Sequence, residues 1–263
     1  MTATALHVEE AGTDGPLILC LHGIGSSSAS FAGQLEDLSR VARVVAWDAP
    51  GYGRSADPEQ PLDLDGFADA AADLIRERAR SAHVVGVSWG GVIALRLAGR
   101  YPELVDSLVV ADSSLGSGAT PGKAAAMRER AAQLAEAGPQ AFAARRAPRL
   151  VSEDAPAALV RAVTDTMAAA IRLPGYGYAA ESMAATDLGP ELPGIDVPTL
   201  VLCGEHDTVT GVEAGQAIAG ALQRAVFVIL AGAGHLANQE QPAAFNDWVR
   251  AHLRIAALIP ETN

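Results

Sequence analysis

The stretch His83-Val84-Val85-Gly86-Val87-Ser88-Trp89-Gly90-Gly91 decides the reading of this chain. Residues 83–87 form a Val-rich apolar run of strand type, and residues 91–100 read as a helix. Between them stands Ser88, in the pattern Gly-x-Ser-x-Gly. A serine at a sharp strand-to-helix turn takes strained backbone angles, and only small residues two before and two after it let the turn close. The spacing therefore predicts a serine oxygen held out above a sheet, with the N–H groups of a helix start facing the same spot.

Working outward, similar short runs occupy residues 6–9, 17–21, 44–47, 108–111, 200–203 and 226–230. Most are rich in Val, Ile and Leu and end in Gly, Pro or Asp, which suits strands covered on both faces. Helical stretches at 65–80, 91–100 and 213–222 alternate with them. That alternation predicts an α/β architecture, a mostly parallel sheet with helices on both faces. Residues 117–187 break the rhythm with an Ala- and Arg-rich segment that holds no strand-like run. We read this segment as a helical cap inserted after the sixth strand, with residues 1–116 and 188–263 forming the core. There is no internal repeat. Residues 56–61 read as a polar loop, and 259–263 are expected to fray.

Hydrophobic residues make up 49 % and charged residues 19 % of the 263, so a large core can form and global disorder is excluded. The net charge of −12 and the pI near 4.9 give a surface that repels phosphate backbones and anionic lipid. Neither nucleic acid nor a membrane is an expected partner. No run of apolar residues is long enough to span a bilayer. Residues 1–10 carry Glu9 and Glu10 and no Lys or Arg, unlike a secretory signal, so a cytoplasmic location is expected. Cys20 and Cys203 fall inside apolar runs and read as buried free thiols. The charge is uneven. The 117–187 segment holds eight basic residues (Lys123, Arg128, Arg130, Arg145, Arg146, Arg149, Arg161, Arg172) and seven acidic ones, against 19 and 31 in the whole chain. The cap is near neutral and the body strongly acidic.

A serine hydroxyl needs a base to become a nucleophile. Of the six histidines, His235 in Gly232-Ala233-Gly234-His235 lies just after the last apolar run and is the candidate. His22 belongs to a glycine loop, His83 begins a run, and His7 and His252 lie near the chain ends. His206 is the competitor. A base needs an acceptor on its other ring nitrogen. Asp207, in Gly204-Glu205-His206-Asp207, is the candidate acid, and Asp112, which also ends a run, is the alternative. The chain order Ser88, Asp207, His235 is nucleophile, acid, base. For an oxyanion, the N–H of Trp89 and that of Ile24 in His22-Gly23-Ile24-Gly25 are the expected donors, with Gly23 and Gly25 letting the backbone approach a substrate. No His-Glu-x-x-His, Cys-x-x-Cys or phosphate-loop pattern occurs, and Lys123 is the sole lysine. No metal and no cofactor are expected.

With these residues in view, the chain resembles the α/β-hydrolases over nearly its whole length. The matching blocks are His22-Gly23-Ile24-Gly25, Asp48-Ala49-Pro50-Gly51-Tyr52-Gly53-Arg54-Ser55, Gly86-Val87-Ser88-Trp89-Gly90-Gly91, Gly204-Glu205-His206-Asp207 and Gly234-His235. The resemblance implies the α/β-hydrolase fold and a serine triad. The tail His235-Leu236-Ala237-Asn238-Gln239-Glu240-Gln241-Pro242 is similar to that of the 3-oxoadipate enol-lactonases, cofactor-free hydrolases of carboxylate-bearing lactones. The chain departs from them in its general His-Gly-x-Gly loop, and one N-terminal strand of the family fold is expected to be absent. The carbon–carbon hydrolases of ring cleavage carry Asn before the serine and Trp after the base histidine, where this chain has Val87 and Leu236. Haloalkane dehalogenases and epoxide hydrolases need Asp at position 88.

Three functional expectations follow. The first is hydrolysis of a small-molecule ester or lactone, one bearing a carboxylate if Arg145 and Arg146, clustered with Arg149 in the cap, face the site rather than water. The second is carbon–carbon bond hydrolysis of a ring-cleavage diketone by the same triad. The third is a ligand receptor with slow or no turnover. Oligomeric state is not legible.

Overall fold

The computed structural model describes residues 5–258, so the expected fraying of 259–263 lies outside the described residues. The strands are β1 (Val8–Ala11), β2 (Leu17–Leu21), β3 (Arg43–Trp47), β4 (Ala82–Val87), β5 (Val105–Ala111), β6 (Thr199–Gly204) and β7 (Ala225–Leu230). They lie side by side in the order β1-β3-β2-β4-β5-β6-β7. β1 runs antiparallel to β3, and every other pair is parallel. Each expected run is a strand, though the first is displaced from 6–9 to Val8–Ala11.

Parallel neighbours need crossovers, and helices supply them. The helices are α1 (Ala32–Leu38), α2 (Leu64–Arg78), α3 (Trp89–Arg100), α4 (Pro121–Arg146), α5 (Ala157–Ala170), α6 (Gly175–Ala185), α7 (Gly211–Ala221) and, after the last strand, α8 (Ala237–Glu240) and α9 (Pro242–Leu258). The period of two along each strand sorts its side chains into two layers. Ile18, Cys20, Val44, Ala46, Val85 and Val87 pack with Phe31, Leu38, Phe245 and Val249, on the side of α1 and α9. Leu17, Leu19, Leu21, Val45, Trp47 and Val84 pack with Phe67, Ile75, Ile93 and Leu97, on the side of α2 and α3. Each aliphatic side chain so buried contributes roughly 1.5–3 kcal/mol.

Two expectations need correction. β7 is not covered on both faces: Val226 is 56 % and Ile229 47 % exposed. It is the edge of the sheet, and an apolar run alone does not distinguish an edge strand from a central one. The helical insertion also leaves the sheet after the fifth described strand, not the sixth, because no further N-terminal strand lies among the described residues. The insertion comprises α4, α5 and α6. α4 is bent at Gly138 (φ 72°), just before Pro139, so its two halves point in different directions.

One attachment of the insertion to the core lies between α5 and α6. Arg172 donates to the carbonyls of Gly53 (2.9 Å) and Ser55 (2.5 Å) and pairs with Asp57 at 2.8 Å. Beside it Gly175 lies so close to Gly51 that a methyl group on either would collide with the other's backbone. Among the described residues no helix is long and apolar enough to cross a membrane.

Candidate active site

Ser88 sits between β4 and α3 at φ 55°, a conformation rarely adopted by residues other than glycine. The turn closes because a Cβ on Gly86 would overlap the Gly90 carbonyl and one on Gly90 the Leu21 carbonyl. Backbone bonds fix it: the Ser88 N–H donates to Ala111 O at 2.8 Å, and the Ser113 hydroxyl to Ser88 O at 2.7 Å. Ser113 has no sequence signature and was not expected.

The loops after β6 and β7 deliver the other two groups. His235 Nε2 lies 3.0 Å from Ser88 Oγ, and its Nδ1 lies 3.0 Å from Asp207 Oδ2. The Asp207 carboxylate also accepts the N–H groups of Val209 (2.8 Å) and Thr210 (3.2 Å) and the Thr210 hydroxyl (2.5 Å). Burial pushes the Asp207 carboxyl up, but the hydrogen bonds and the charge of His235 outweigh it and leave it well below the usual carboxylate range. An ionised Asp207 fixes the ring with the proton on Nδ1 and leaves Nε2 free to accept the serine proton.

The rivals are placed elsewhere. His206 is exposed, 3.8 Å from Glu205. The oxygens of Asp112 accept the N–H groups of Gly204 (2.8 Å) and Ala237 (3.0 Å), tying together the loops that carry Asp207 and His235. Burial pushes the Asp112 carboxyl up to about 7. Asp112, Cys203 and Asp207 bring three potential ligand atoms within 4.8 Å, the one such group of three among the described residues. Each carboxylate oxygen there already accepts a protein donor, and burial holds the Cys203 thiol protonated, up to about 12. That donor set does not suit a metal.

The glycine loop lies against the serine. A Cβ on Gly23 would stand 3.2 Å from Ser88 Cβ, and Gly25 takes φ +91°. His22 pins this loop: Nδ1 donates to Gly23 O at 2.9 Å, and Nε2 accepts the Ala49 N–H at 3.0 Å. Burial holds His22 neutral, down to about 4. Among the described residues the N–H groups of Ile24 and Trp89 donate to no protein acceptor. The Trp89 side chain faces inward, edge-on to Phe67 at 4.7 Å, and donates to Ser182 Oγ of α6 at 3.1 Å.

Gly23, Ile24, Gly25, Ser88 and His235 line one pocket, closed from the insertion by Arg130, Arg146, Leu150, Val163 and Met167. Arg146 therefore borders the pocket. Arg145 does not: it is exposed and outside the lining, because adjacent helical residues point about 100° apart. Arg149 is exposed in a separate groove. Arg130, from the first half of α4, takes the expected place of Arg145. Burial and the nearby charges of Arg146 and Arg149 push its guanidinium down, and Tyr176 lies beside it. Among the described residues neither Arg130 nor Arg146 has an ion-pair partner, whereas Arg128 pairs with Glu181 and Arg172 with Asp57.

Residues 18–248 match the alpha/beta hydrolase family. 3-Oxoadipate enol-lactonase 2 of Acinetobacter baylyi is 29 % identical over 246 residues, covering 92 % of this chain and 90 % of that protein. Two solved structures superpose with a TM-score of 0.86 at 27 % identity. One is a thermophilic esterase from Thermogutta terrifontis with malate bound, covering 95 % of this chain and 93 % of that one. The other is the enol-lactonase of Burkholderia xenovorans LB400, covering 96 % and 98 %. With its model matched over residues 18–248, the chain belongs to the alpha/beta hydrolase family.

Proposed function

We propose that this protein is a cofactor-free serine hydrolase of a small ester or lactone that bears a carboxylate, with residues 117–187 as its cap. The observation that carries the reading is the unbroken relay from Ser88 Oγ through His235 to Asp207, 3.0 Å at each step, beside two N–H groups free to donate. His235 Nε2 takes the Ser88 proton as Oγ attacks the carbonyl carbon. The tetrahedral oxyanion accepts from the N–H groups of Ile24 and Trp89, each contributing about 3 kcal/mol. Collapse breaks the bond to the leaving oxygen, which takes the proton back from His235. Water, deprotonated by the same nitrogen, then attacks the acyl-enzyme and releases acid and serine.

The carboxylate belongs to the proposal because Arg130 and Arg146 border the same pocket in a chain of net charge −12 and make no ion pair there among the described residues. Burying a positive group without a partner is costly, and a substrate anion relieves the cost. The malate in the Thermogutta terrifontis esterase is an anion of this class. Val87 and Leu236 stand where carbon–carbon hydrolases carry Asn and Trp, which favours the ester or lactone reading. The test is Ser88→Ala. The variant is expected to fold, to lose fluorophosphonate labelling and to lose turnover of p-nitrophenyl acetate by roughly five orders of magnitude. Retained turnover refutes the assignment.

A further inference from the structure

A second carboxylate on the His235 turn is not part of the relay. Glu240 Oε1 accepts the N–H of Gly234, the residue before His235, at 2.8 Å. Its Oε2 accepts the N–H of Ser152 at 2.8 Å, from a segment 88 residues away in sequence. Ser152 lies in the loop between α4 and α5, two residues beyond Leu150, which lines the pocket. The two backbones are in direct contact. A methyl group on Gly234 would stand 2.5 Å from Ser152 N, 2.7 Å from the Val151 carbonyl carbon and 2.9 Å from Glu240 Oε1. Leu236, which caps α8, and Gln239 within it line the same pocket.

We propose that Glu240 is a positioning residue that couples the insertion to the candidate base, so that the place of the 150–152 segment sets the alignment of His235 on Ser88. The inference rests on the reading of His235 as base. One carboxylate accepts two backbone donors from two elements and so joins them. A glutamine there satisfies one donor and presents its own N–H groups to the second. A substrate that presses on Leu150 displaces Ser152, and through Glu240 displaces Gly234 and the adjoining His235. When the segment is seated, the same link holds the imidazole 3.0 Å from the serine oxygen. Reacting groups must be held closely, since a misplacement near 1 Å costs about a hundredfold in rate.

The experiment compares the wild-type protein with Glu240→Gln and Gly234→Ala. Gly234→Ala leaves Glu240 unsubstituted but crowds the link itself, at Val151, Ser152 and the Glu240 carboxylate, so it answers the question if Glu240→Gln does not fold. Active sites are counted with a fluorophosphonate, and kcat and KM for p-nitrophenyl esters of short and long acyl chains are expressed per counted site. The expected result is a fall in kcat per site of about tenfold or more, with KM within about twofold of wild type. A purely structural role would lower the number of countable sites and leave kcat per site unchanged. That result overturns the proposal, as does a rise in KM alone. A wild-type protein that neither labels nor turns over would instead overturn the hydrolase reading, and this inference with it.

Discussion

The core loops of the candidate site and the insertion that covers them treat their polar groups in opposite ways. In the core, the Asp207 carboxylate accepts four donors, Asp112 bridges two loops, His22 uses both ring nitrogens, and Ser113 holds the Ser88 carbonyl. In the insertion, Arg130 and Arg146 reach the pocket with no carboxylate beside them among the described residues. A fully satisfied network has one arrangement and keeps it without a ligand. A pair of cations that meets only the Tyr176 hydroxyl and the Phe142 ring gains most when an anion arrives. The contrast teaches that the reacting groups are set in advance, while recognition is left for the substrate to complete.

The core half of the contrast can be broken by acid. His22 is buried neutral, with its pKa pushed from 6.5 to about 4 by desolvation, against the opposing pull of Gly23 O and the Asp48 charge. As pH falls through 6.5 the unfolded chain takes up the proton first and the folded chain does not. The contribution of His22 to stability therefore drops between about pH 6.5 and about pH 4, by about 3 kcal/mol in all. His22→Asn removes this titration. Urea unfolding across that range is expected to show a steeper loss in the wild type than in the variant, and parallel curves would show that His22 is not held neutral.

The cap half predicts a smaller, substrate-dependent effect. Arg130→Ala or Arg146→Ala is expected to raise KM for a carboxylated ester by about 10–100-fold, with little change for its neutral analogue. Arg145→Ala, outside the pocket lining, is expected to leave both unchanged. Equal losses on charged and neutral esters would remove the anion-binding role, and a large effect at Arg145 would sharpen the picture toward a cap that moves.

The same contrast explains what could be read in the sequence. Ser88 was legible because a positive-φ serine demands small residues at 86 and 90, and that demand is written locally. Asp207 and His235 were legible because each follows a strand whose apolar run is plain. Asp207 and Asp112 each follow a strand closely, and only their partners distinguish them, His235 for the first and the Gly204 and Ala237 N–H groups for the second. The arginines were half legible. Arg145 and Arg146 are adjacent, and one residue of helical rotation decides which faces the pocket. Arg130 joins Arg146 only because α4 bends at Gly138, a geometry that composition does not reveal. Glu240 stood in the quoted tail, but its partner Ser152 is distant in sequence and lends only a backbone N–H, which leaves no residue signature. The edge position of β7 depends on the absence of a neighbour, which no run of residues encodes.

The central claim is that an acyl group passes through the serine at position 88. Rapid quenching of the protein with p-nitrophenyl acetate, followed by mass spectrometry of the proteolytic peptides, tests it most directly. The account predicts an acetyl increment on the peptide carrying Ser88, appearing with the burst of p-nitrophenol and fading as substrate is exhausted. Steady hydrolysis with that peptide unmodified throughout, or with the increment on another residue, would contradict it.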